Sequence, residues 1–228
     1  MLALIRTDWR TFRPLVIGST VLCGGPHLLC AAIVLFAPVQ ARFQTPAEHW
    51  LSVVGPASVL SMLCLAGVAA AFGGTAWAAE RAERSATFID LLPPTRIQRA
   101  ASKLGVSAGW LLLVLAANVV IFAVAARRAN VVIDHTRITP DEVLALAGQC
   151  GSFGVLVFGV AWACSTFLDS SGTSALIGFV TGAVVAWVVA KASHGEPWPS
   201  RIWASASLSL GVAAFLAGTA HYLRRTEP

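Results

Sequence analysis

Charged residues are scarce in this sequence. Asp, Glu, Lys and Arg make up 12% of it and hydrophobic residues 57%, whereas a water-soluble domain carries about 25% charged residues. Half the usual surface charge is missing. Water is thereby excluded as the main solvent, and spans of about 20 apolar residues are expected. No basic run accompanies the formal charge of +5. The basic residues sit beside apolar segments instead, which excludes nucleic acid as a partner and fits the positive-inside bias of membrane proteins. No Cys-x-x-Cys pair occurs, and Cys23, Cys30, Cys64, Cys150 and Cys164 all fall inside apolar stretches. That argues against a disulfide framework or a zinc site and for buried free thiols.

Intramembrane charge is missing as well. No Asp, Glu, Lys or Arg lies in the middle of any apolar segment. Proton- and ion-coupled carriers depend on such groups, and only His27 could titrate there, so the energy for any transport comes from elsewhere. It does not come from a nucleotide site in this chain. A phosphate-binding loop needs GxxxxGK[ST], and the two lysines, Lys103 and Lys191, are followed by Leu104 and Ala192. The chain is therefore read as non-catalytic, with no metal or cofactor of its own. GVSAG at 105–109 matches a nucleophile-elbow pattern but opens an apolar helix rather than a strand–turn–helix. Gly105 and Gly109 instead read as a close-packing pair, like Gly178 and Gly182, with Gly148, Gly151 and Gly154 on another span. Asn118 and Gln149 read as interhelical hydrogen-bond partners. A cleavable leader is not expected, because Arg6, Asp8, Arg10 and Arg13 precede the first apolar run.

What is present is an all-α integral membrane protein forming one domain, residues 1–228. Residues 2–13 are too charged to span a bilayer. Leu2, Ile5, Trp9 and Phe12 share one helical face, flanked by Arg6, Arg10 and Arg13, as in an interfacial elbow helix; the competing reading is the first turns of a longer helix. Pro14 supplies a natural bend. Six spans follow, at about 14–37, 50–79, 104–126, 143–168, 173–190 and 202–223. Gly24-Gly25-Pro26 is expected to loosen the first. The second, about 30 residues and 45 Å long, overshoots the hydrocarbon core. With both termini cytosolic, ten Lys and Arg lie inside and six outside, which sets the orientation.

Residues 80–103, ERAERSATFIDLLPPTRIQRAASK, form a charged island between the second and third spans. Phe88, Ile89, Leu91 and Leu92 repeat at helical spacing, and Pro93-Pro94 ends that stripe. The segment reads as a short amphipathic cytosolic helix that receives force from a partner.

On these residues the chain resembles the membrane subunit of ABC transporters of the ABC-2 (type V exporter) class. The resemblance covers the elbow helix, the six spans and the island. Glu83, Thr87, Phe88, Leu91-Leu92, Pro93, Thr95-Arg96 and Lys103 stand where the family shows its Glu, Thr, Leu-rich helix, Pro, Thr-Arg and Lys. Ala86 replaces a usual Gly, Pro94 makes a double proline, and the segment between the fifth and sixth spans is short. The resemblance implies a half-channel in the cell inner (plasma) membrane, paired with a second permease subunit, identical or different. Two cytosolic ABC ATPase subunits would bind ATP and Mg. It further implies that Phe88, Leu91 and neighbours dock on an ATPase, while Glu80, Glu83, Arg84 and Arg96 tie the island to the elbow and the second span. The apolar spans point to export of an amphipathic or lipid-like substrate. The alternative is an ABC-like membrane anchor that passes ATPase motion to a partner without transporting anything.

Overall fold

The computed structural model describes residues 2–36, 46–82, 95–130, 140–192 and 200–224. Among these, the elements are six α-helices: α1 (Leu2–Phe36), α2 (Pro46–Ala82), α3 (Arg96–Asn130), α4 (Pro140–Ser165), α5 (Ser171–Ala192) and α6 (Ser200–Arg224). Each contains a stretch long and apolar enough to cross a membrane. This is the architecture of a multi-pass membrane protein. Helices are the physical solution here because hydrocarbon offers no partner for backbone N–H and C=O groups.

The helix ends differ from the expected spans in an instructive way. Residues 2–13 and the first span form one uninterrupted helix that contains both Pro14 and Pro26. An elbow helix separate from the first span is not shown: residues 2–13 run on into it as one long α1. Near Pro26, the Ser61 hydroxyl of α2 donates to the Cys23 carbonyl at 2.7 Å, one of the side-chain supports that let proline sit in a membrane helix. The α2 helix runs 37 residues, about 55 Å against a hydrocarbon core of about 30 Å. Its overshoot is larger than expected.

The α3 helix starts at Arg96, eight residues before the apolar run. A capping box starts it there: the Gln98 amide donates to Thr95 Oγ1 at 3.3 Å, and the Thr95 amide donates to Gln98 Oε1 at 3.1 Å. Two otherwise orphaned helix N–H groups are satisfied reciprocally. At the tight turn between α4 and α5, Ser170 caps α5 by accepting from the Thr173 amide at 3.2 Å.

The bundle is organised around α2. In an 18-residue window of its apolar stretch Val54–Ala79, 56% of the residues are buried, against 33% or less in any other helix, and it packs on α1, α3, α4 and α5. Small residues permit this. A Cβ on Gly73 would stand 2.6 Å from the Phe158 carbonyl oxygen of α4. On the far side of α4, a Cβ on Gly159 would stand 2.1 Å from the Gly211 carbonyl oxygen of α6. The expected packing pair Gly178 and Gly182 does face α4, against Ala161 and Val157. Gly105 and Gly109 do not pack: both are exposed, with open space where a Cβ would point.

Aromatic side chains fill one end of the bundle. Phe12 of α1 stacks on Phe72 of α2 with centroids 5.4 Å apart. Trp77 of α2 meets Trp162 of α4 edge-on at 5.4 Å and stacks on Tyr222 of α6 at 3.9 Å. Trp162, fully buried, donates its indole N–H to Thr219 Oγ1 at 3.2 Å. Such offset and edge-to-face pairs add to what area burial alone provides.

Candidate functional site: a polar clasp at the base of the charged island

The island leaves α2 at Ala82 and re-enters the bundle at Arg96. Around its base, on the four helix ends that meet there, polar side chains are buried among the aromatics. Arg96, Arg99, Ser102 and Lys103 recur at three- and four-residue steps on α3, which puts them on a common side of the helix. That side faces inward: Arg99 is 5% exposed, Ser102 2% and Lys103 2%.

Three of these residues each reach a different element. The Lys103 ammonium donates to the backbone carbonyl of Ala76 on α2 and lies 4.7 Å from the Trp77 ring centroid, within cation–π range. The Ser102 hydroxyl donates to Asp8 Oδ2 on α1 at 2.5 Å, and Asp8 is itself buried. Arg96 donates from Nη1 to the Tyr222 carbonyl on α6 at 3.5 Å. Four helices are tied by groups that sit where water is scarce. There, charge-assisted hydrogen bonds are strong and their loss is costly. The chemistry of this arrangement is mechanical. It holds α1, α2, α3 and α6 in fixed register around the point where the island is attached.

Of the residues assigned to ATPase coupling, Glu83, Arg84, Thr87, Phe88, Leu91, Leu92 and Pro93 lie outside the described residues, and Glu80 belongs to the last turn of α2. Arg96 opens α3 and its bond to Tyr222 reaches α6. The ties to α1 and α2 are made by Ser102 and Lys103. On α1, Arg6, Arg10 and Arg13 are exposed, and the apolar face divides: Phe12 is buried at 1% exposure while Trp9 is 43% exposed. Asp8, Arg99 and Ser102 were not singled out as functional from the sequence. For Arg99 and Ser102 part of the signal was present: the capping box starts a helix at Arg96 and so places them with Lys103 on one side of it.

A second polar group lies deeper in the spans. His27 Nε2 on α1 donates to Asn118 Oδ1 on α3 at 2.8 Å, and Asn118 Nδ2 donates to the Val114 carbonyl at 2.9 Å. One turn or two closer to the clasp, the Trp110 indole donates to Ser19 Oγ at 2.7 Å. Asn118 thus plays the interhelical role expected of it, and its partner is the histidine. Comparison of the chain with family models, with curated proteins and with solved structures finds no match, so its fold and its clasp stand on their own geometry.

Proposed function

We propose that the chain is the permease subunit of an ATP-binding-cassette exporter of the ABC-2 class. It sits in the cell inner (plasma) membrane with both termini cytosolic and works with a second permease subunit and two cytosolic ATPase subunits that bind ATP and Mg. Its cargo on this reading is amphipathic or lipid-like.

The observation that carries the proposal is the clasp. A segment meant to receive force must be attached to something that does not yield. Here the two helices flanking the island are locked to each other through Lys103 and Ala76, and α1 is locked in through Asp8 and Ser102. A push delivered between residues 82 and 95 would move α1, α2, α3 and α6 together. The overshoot of α2 gives that push a long arm.

The test is affinity purification of the tagged full-length chain with identification of its partners, followed by ATP hydrolysis in the reconstituted complex. An ATPase subunit is expected to co-purify, and Leu91→Asp is expected to uncouple hydrolysis from the membrane subunit. Intact coupling in the Leu91→Asp complex would sink the proposal. The anchor reading is favoured by one observation: His27 and Asn118 are bonded to each other rather than offered to a cargo. Hydrolysis without flux of any amphipathic cargo selects that reading.

A further inference from the structure

We propose that the bundle takes up one acyl chain of a bilayer phospholipid in a cavity enclosed by α2, α3, α4 and α6. The cavity measures about 280 Å³, and its walls include Leu65 and Ala69 of α2, Leu111 and Leu115 of α3, Gly154 of α4 and Phe215 of α6. Every lining side chain is apolar. A buried water needs two to four polar partners, and an apolar cavity of about 150 Å³ in a water-soluble protein stays dry and admits benzene. This cavity is larger and equally apolar, so hydrocarbon is the occupant its walls select. Left empty, it would forfeit dispersion contacts all along its lining.

The source of that hydrocarbon follows from where the cavity opens. Leu112 of α3 and Val212 of α6 also line it, and they are 64% and 42% exposed on the outer surface of the bundle. The cavity therefore reaches the surface that the spans present to lipid. Both residues lie well inside their apolar stretches, Arg96–Ala125 and Trp203–Arg224, at the depth of acyl chains rather than head groups. The opening exists because α3 touches α4 and α6 only sparsely, although all three pack closely elsewhere. Gly154 keeps it open on the α4 side: a Cβ there would meet nothing within 4 Å. An unbranched chain entering from the bilayer asks for no hydrogen bond and finds none. This inference holds whether or not the chain serves an ATPase.

The test uses the full chain reconstituted in vesicles of synthetic phosphatidylcholine and phosphatidylethanolamine, with a trace of phosphatidylcholine carrying a mid-chain diazirine. After photolysis, adducts are mapped by mass spectrometry. Peptides containing Leu111, Leu115 and Phe158 are expected to carry more adduct than the exposed α5 peptide with Leu176 and Phe179, which reports ordinary annular lipid. Gly154→Leu fills the space and is expected to lower the cavity adducts about tenfold by steric exclusion and loss of the chain's packing contacts, with the α5 adducts unchanged. Ala108→Leu fills it from the α3 wall and is expected to do the same should Gly154→Leu fold poorly. Cavity labelling no higher than on α5, labelling insensitive to both fillings, or labelling that requires a native lipid extract would each overturn the proposal.

Discussion

Lys103 points from α3 into the bundle and gives its ammonium to the carbonyl of Ala76 on α2, over the face of Trp77. A cation at the head of a membrane helix is ordinarily expected to snorkel toward water. This one is 2% exposed. It exchanges hydration for a backbone carbonyl of α2 and the face of an indole ring.

Lys103→Ala removes a charge-assisted hydrogen bond and a cation–π contact together. The expected destabilisation is about 2–4 kcal/mol, read as a lowered midpoint in thermal or denaturant unfolding of the purified protein in detergent. Lys103→Arg keeps the charge but brings a larger planar group and is expected to restore only part of the loss.

The Asp8–Ser102 bond separates two roles that stability alone would merge. Asp8→Asn keeps an acceptor for the Ser102 hydroxyl but loses the charge, and is expected to cost less than Asp8→Ala. Asp8→Ala leaves that hydroxyl buried without its carboxylate acceptor, at an expected cost of about 1–3 kcal/mol. Equal unfolding midpoints for the two variants would show that the hydrogen bond contributes nothing.

For His27 and Asn118 a double-mutant cycle is the proper measurement. Single alanine substitutions change packing as well as bonding, and the coupling energy isolates the bond. It is expected at about 0.6 kcal/mol and no more than about 1.7 kcal/mol, the range found for hydrogen bonds between membrane helices.

The proposed orientation is checked by single cysteines in a background lacking the native ones. Ser85→Cys, in the island, is expected to react with a membrane-impermeant maleimide only after the cytosolic side is opened. Thr136→Cys, in the segment after α3, is expected to react in intact cells. The reverse pattern would place the island outside and end the proposal of a cytosolic ATPase contact.

The six helices were legible because apolar runs of span length between charged or turn-forming segments leave a single cheap solution in hydrocarbon. The Ser170-capped turn was legible for the same reason at short range, from Asp169-Ser170-Ser171-Gly172. The start of α3 was misread because Arg96, Arg99 and Lys103 fall in its first eight residues, and hydropathy places a span where charge stops. Local backbone chemistry, Thr95 and Gln98 three apart, places it where capping starts. The clasp was illegible at a deeper level. Sequence shows that Arg99, Ser102 and Lys103 share a side of a helix, but not whether that side meets water or Trp77. The small residues taught the same lesson twice: Gly178 and Gly182 pack as a pair, while Gly105 and Gly109 carry the same spacing on an outward face.

The position of α2, in touch with α1, α3, α4 and α5, makes it an axle whose clearance vanishes at one place, the Gly73-Gly74 pair. A side chain that grows at Gly73 or Gly74 must push the backbone of α4 or α5 aside, so sequence drift at those two positions is confined to glycine. The outward positions, such as Val59, Leu60 and Leu63, are free to vary in size so long as they stay oily.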